Sequence, residues 1–206
     1  MKKLILTITA IIVAIIGTTT FTYAAAKNNE VTVLTNIGNI SKIEVRGNVE
    51  LYVTNGDKDQ VTVSNNYYGE NAYVQDQNGV LRISSYKAEK LVVYVTASDL
   101  NSIAVYDNSV VRSDKKLSLI SLDVTLYNNA YAALKLDNYA ANITVNDQAK
   151  ADLTGNVTEY SATYSSTSTI NRAELVAENA SESKIAPKES AKQISKTEEV
   201  VVEEGL

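Results

Sequence analysis

From Glu30 to about Tyr106 apolar and polar residues alternate with a period of two, broken by turn residues, which is the pattern of half-buried strands. "KIEVRGNVELYVTNGDKDQVTVSNN" reads as three short strands. Their buried faces carry Ile43 and Val45, then Val49, Leu51 and Val53, then Val61 and Val63. Gly47-Asn48 and Asn55-Gly56-Asp57 supply the positive-φ corners between them. Leu81/Ile83, Val93/Val95 and Ile103/Val105 continue the alternation, and no helical period interrupts it.

A second regularity starts at Ser109. "DNSVVRS", "NNAYAAL", "DQAKADL", "SSTSTI" and "NASESKI" share a polar tip followed by small and aliphatic residues at alternate positions. The corner residues are Ser109, Ala130, Ala149, Ser166 and Ser181, at intervals of 21, 19, 17 and 15 residues. Removing two residues from a unit keeps every inward side chain inward, whereas removing one would invert the face. The series therefore predicts a coil that shortens toward the C-terminus. Val124/Leu126, Ile143/Val145, Tyr160/Ala162 and Leu175/Ala177 are its expected inward positions.

Units this small cannot each bury an apolar face alone, so they must stack through parallel backbone ladders. The expected fold is all-β, a right-handed parallel β-helix (solenoid) tapering toward the C-terminus. An antiparallel β-sandwich is the alternative, suggested by the hairpin-like turns before Tyr106. Small corner residues allow close stacking, and Asn128, Asn129, Asp147 and Asn179 can bond their own turns and tolerate left-handed backbone.

The two ends differ from this body. Met1-Lys2-Lys3, the apolar run Leu4 to Gly17 and Ala24-Ala25-Ala26 form a signal peptide over residues 1–26. Residues 27–186 are expected to be one domain. Residues 187–206 are rich in Lys, Glu and Ser, a solvated tail in which "EVVVEE" offers an additional edge strand. With no Cys the exported chain carries neither a disulfide nor an acylation site, so no membrane insertion follows signal cleavage. The expected location is the periplasm or the cell surface.

Composition narrows the chemistry. The formal charge of −5 becomes more negative once Lys2 and Lys3 leave with the signal, which disfavours nucleic acid and anionic lipid as partners. His and Cys are both absent, removing the commonest general base, thiol nucleophiles and most transition-metal ligand sets. The 8 Gly are scattered at turns rather than gathered in a phosphate loop. Asp123, Asp137 and Asp152 recur at regular spacing, and their simplest reading is outward, solvated strand residues. No catalytic residue, metal site or cofactor is expected.

Aromatic content favours binding. Tyr accounts for 13 residues against one Phe and no Trp, and its ring offers an apolar face with a polar tip. Tyr106, Asp107 and Asn108 occupy one corner, Tyr127, Asn128 and Asn129 the next, and Asp147 the third. These seven residues are the candidate ligand-binding ladder, facing a glycan or protein surface. Exposed edge coils also leave room for homo-oligomers.

"ISKIEVRGNVELYVTNGDKDQVTVSNN", "NGVLRISS" and "LVVYVTASDLNSIAVYDNSVV", followed by polar corner repeats, resemble the auto-transporter adhesin head domain known as the GIN domain. The resemblance spans residues 38 to 186 and rests on the order of these segments and their "GD…V.V", "L.I" and "L..I.V" skeleton. It implies a β-helix-like fold on an exported envelope protein of Bacteroidetes type, with a role in adhesion. At the corners the family usually has Gly-Ser, whereas this chain has Asp107-Asn108-Ser109, Asn128-Asn129-Ala130 and Asp147-Gln148-Ala149. No ligand site is therefore carried over from the family.

Overall fold

The computed structural model describes residues 31–34, 37–64 and 72–185, and among them the ordered elements are thirteen strands and no helix. They are β1 (Val31–Leu34), β2 (Lys42–Gly47), β3 (Val49–Asn55), β4 (Gln60–Ser64), β5 (Ala72–Gln77), β6 (Val80–Ser85) and β7 (Leu91–Ala97). Then follow β8 (Ser102–Val105), β9 (Val110–Arg112), β10 (Ser121–Leu126), β11 (Tyr131–Val145), β12 (Lys150–Ser165) and β13 (Thr169–Ile185).

All thirteen belong to one sheet. The sandwich alternative thus has no second sheet among the described residues. Down one wall, β6, β2, β8 and β10 and the C-terminal halves of β11, β12 and β13 pair in parallel. Down the other, β7, β3 and β9 and the N-terminal halves of β11, β12 and β13 do the same. Antiparallel strands finish the N-terminal end, with β5 on β6 and β4 then β1 on β7. Stacking order is not chain order: β2 lies between β6 and β8, and β3 lies between β7 and β9.

Both walls feed one core. Ile43, Val45, Val49, Leu51, Val53, Val61, Val63, Leu81, Val93, Ile103 and Val105 are fully buried, as their alternation predicts. Ser109, Ala130 and Ala149 are buried too, so small residues do fill the corners.

The predicted shortening is not present. Val110 aligns with Tyr131, Tyr131 with Lys150 and Lys150 with Thr169, returns of 21, 19 and 19 residues. After an irregularity between Asp152 and Thr154 the offset is 20, as in Thr154 opposite Glu174. Ser168, not Ser166, stands where Ala149 stands one return earlier. Ser181 lies inside β13 opposite Ser161 and is no corner. "SSTSTI" has small residues at alternate positions, so a slip of two leaves every small residue matched and the sequence pattern cannot fix the register. Leu175 and Ala177 accordingly pair with Gly155 and Val157, while Tyr160 and Ala162 pair with Ala141 and Ile143 in the other wall.

Gly155 marks a close approach between returns. Its φ is 106°, and a Cβ there would meet the Leu136 carbonyl oxygen at 2.0 Å. Only glycine tolerates both.

The C-terminal end is closed by charge. Glu182 and Lys184 align with Ala162 and Tyr164 but are exposed. The Arg172 guanidinium lies 5.6 Å from the Tyr160 ring centroid and pairs with Glu182, so one ion pair bridges the walls above the last buried ring. Residues 1–26 and 187–206, read as signal and tail, lie outside the described residues. Among those described, no helix is long and apolar enough to cross a membrane.

Candidate functional site

The parallel pairing stacks the corners that follow β8, β10 and β11 in one column. Asn129 N donates to Asp107 O at 3.0 Å and Gln148 N to Asn128 O at 3.0 Å, so the ladder runs through the turns themselves. Each corner closes alike: Ser109 N donates to Tyr106 O, Ala130 N to Tyr127 O and Ala149 N to Asn146 O. Each also needs one left-handed residue, and Asp107 (φ 61°), Asn128 (φ 60°) and Asp147 (φ 54°) provide it. Asp and Asn tolerate this region because their short polar side chains bond locally, which offsets the steric cost to an L-residue.

All seven residues singled out in the sequence therefore fall in one column. The rings of Tyr106 and Tyr127 stack with centroids 4.8 Å apart and planes 4° apart. Arg46 extends the stack, its guanidinium 3.7 Å from the Tyr106 centroid. Asp107 Oδ2 accepts Gly47 N at 3.0 Å and its Oδ1 accepts Asn128 Nδ2 at 3.0 Å. Asp147 Oδ2 accepts Asn128 N at 2.8 Å, and Asn108 Oδ1 accepts Asn129 Nδ2 at 3.3 Å. Much of the polar capacity is thus spent joining one corner to the next. What remains free is Asn108 Nδ2, Asn129 Oδ1 and the Gln148 amide, an outward row of amides. They border a shallow depression of about 470 Å³, which adjoins another of about 550 Å³ lined by Tyr131, Lys150 and Thr167 as well.

Beside the column runs a stripe that the sequence alone does not reveal. Glu50 Oε1 accepts Arg112 Nε at 3.0 Å and Tyr52 Oη at 3.1 Å, and Tyr131 Oη donates to Asp152. Tyr52 stacks on Tyr94 at 5.0 Å. Burial pushes the Glu50 carboxyl up, but the bonds from Arg112 and Tyr52 and the charge of Lys90 outweigh it and hold the group below the usual range. The bond to Asp152, with burial, pushes the Tyr131 phenol up. Arg112 lies 62 residues from Glu50, so only knowledge of the register would pair them.

The three recurring carboxylates do not converge. Asp123 on β10 accepts Asn142 Nδ2 at 2.7 Å, Asp152 on β12 accepts Tyr131, and Asp137 stands where β11 crosses between walls. No group of three or more His, Cys, Asp or Glu able to hold a metal occurs among the described residues.

Fold and site together define an all-β protein whose chain returns to the same parallel ladders at near-constant intervals and lines up its polar corners. The family model described as "Putative auto-transporter adhesin, head GIN domain" matches residues 39–186, and the chain belongs to that family. A solved "putative adhesin" from Parabacteroides distasonis is similar in fold, with 16% identity, a TM-score of 0.56 and coverage of 78% of this chain and 80% of that one. A "putative adhesin" from Bacteroides fragilis shares 15% identity at a TM-score of 0.42, covering 77% of this chain and 99% of its own. No curated protein matches.

Proposed function

We propose that this chain is an exported, non-catalytic, adhesin-like binding module of the cell envelope, located in the periplasm or at the surface. Its body is read as a right-handed parallel β-helix, supported by the two parallel walls and the returns of 19 to 21 residues. It recognises glycan or protein through Tyr106, Asp107, Asn108, Tyr127, Asn128, Asn129 and Asp147. One observation carries this reading: a flat Arg46–Tyr106–Tyr127 stack beside an outward amide row with hydrogen-bonding capacity to spare. Strand spacing sets such groups about 4.8 Å apart, a regular array suited to a repeating polar ligand.

The test is retention of the purified chain on immobilised glycans and matrix proteins, with calcium and with chelator. Saturable binding lost in Tyr127→Ala with Asn129→Ala, at unchanged thermal stability, supports the reading. Binding that ignores both substitutions removes it.

A second reading, a structural or sensory envelope accessory, is favoured by the mutual satisfaction of Asp107, Asn128 and Asp147. It expects no soluble ligand and an envelope protein in a pulldown. A polysaccharide-active enzyme is the least supported alternative, because Asp123, Asp137 and Asp152 stand on separate strands or segments.

A further inference from the structure

Away from the corner column, β11, β12 and β13 cross without a break from one wall to the other, near residues 137–140, 156–159 and 176–179. Asp137 pairs with Asn156 and Asn156 with Val176. One outward step further along the same strands stand Tyr139, Thr158 and Glu178. These six residues border a cleft of about 410 Å³, a size that accommodates one or two sugar rings.

Three features set this cleft apart from the corner column. Tyr139 is 60% exposed, and among the described residues no ring or guanidinium covers its face. The side chains of Asp137, Tyr139, Asn156, Thr158 and Glu178 spend no hydrogen bond on another described residue, whereas Asp107, Asn128 and Asp147 are already engaged with neighbouring corners. Asn138 borders the same cleft at 5% exposure: its Oδ1 accepts Leu119 N and Asp137 N, both at 3.3 Å, while its Nδ2 is buried without a partner. A buried amide left unsatisfied is costly, and such groups concentrate where function retains them.

An uncovered aromatic face flanked by unspent planar polar groups is the chemistry that recognises a pyranose. The ring stacks its C–H face while carboxylates and amides take the hydroxyls. We propose that this cleft binds a neutral sugar unit of a glycan. The sugar's apolar face lies on Tyr139, its hydroxyls donate to the Asp137 and Glu178 carboxylates, and Asn156 and Thr158 exchange hydrogen bonds at its edge. Two carboxylates on a chain of net charge −5 repel anionic sugars, which fixes the class as neutral. The site is independent of the corner column.

The deciding experiment is a two-dimensional amide NMR titration of the full chain with maltose, lactose, mannobiose and chitobiose, and with sialyllactose as the anionic control. At least one neutral disaccharide is expected to give saturable shifts centred on residues 137–139, 156–158 and 176–178, with none from sialyllactose. Tyr139→Ala is expected to weaken binding about tenfold, the value of one aromatic stack. Asp137→Asn with Glu178→Gln weakens it as well, and Asn129→Ala leaves it unchanged. The proposal is overturned if no neutral disaccharide binds, if binding survives Tyr139→Ala, or if sialyllactose binds equally. Shifts centred on residues 106–108 and 127–129 would overturn it while supporting the corner column.

Discussion

Asp107 accepts the backbone N–H of Gly47 at 3.0 Å across 60 residues of sequence. The same carboxylate takes Asn128 Nδ2 from the next corner, so one side chain ties three successive corners together. Gly47 is buried, and its N–H has no water to turn to if the carboxylate is removed.

Asp107→Ala is therefore expected to destabilise the fold by about 2 to 4 kcal/mol, from an orphaned buried donor plus a left-handed residue without a polar side chain. Asp107→Asn keeps the backbone preference and one acceptor and should cost about 1 kcal/mol. Urea denaturation of both variants checks the ranking, and equal midpoints would contradict it.

Gly155→Ala places a methyl against the Leu136 carbonyl at a φ of 106°. A loss of about 3 kcal/mol or more is expected, since strain and overlap add. Gly38→Ala is the control: its φ is ordinary and its nearest neighbour is the end of the Asp76 side chain, at 3.1 Å, so about 1 kcal/mol or less is expected.

Alkaline pH should unfold the protein through Tyr160. Burial, reinforced by the Glu182 charge, pushes its phenol from 10.0 up to about 12. The folded chain then holds this proton after the unfolded chain has released it. The contribution is complete below pH 10 and lost as pH rises toward 12. Tyr160→Phe should flatten this limb of the stability profile. An acid limb follows from Glu44 and Glu50, both held below 4.5, with stability present above that value and declining beneath it.

Glu182→Val with Lys184→Val should promote association. Both residues occupy positions that face inward one return earlier, so their charges guard the long edge of β13. Sedimentation velocity is expected to show species larger than wild type, increasing with concentration. Unchanged sedimentation would assign the guarding role elsewhere.

The strands before Tyr106 were legible because each buries one clean face, as in Val49, Leu51 and Val53. Ser109, Ala130 and Ala149 were legible as corners because bulk cannot enter a tight bend. Ser166 and Ser181 misled because alternating small residues match equally well after a slip of two. The column of Tyr106 and Tyr127 with Asp107 and Asn128 could be read from local repeats alone. The Glu50–Arg112 pair and the cleft at Tyr139, Asn156 and Glu178 could not, because they exist only once distant returns are set in register.

The place of β2 and β3 in the stack sets the timetable of folding. They are made early yet end in the middle, with β6 and β7 on one flank and β8 and β9 on the other. Layer-by-layer assembly in the order of translocation is therefore ruled out. The first return must wait, with Ile43, Val45 and Leu51 unpaired on both flanks, until Arg112 has emerged. Parallel pairing across such separations is slow, so an exported chain of this design spends its most aggregation-prone interval before its midpoint and gains most there from a holding chaperone.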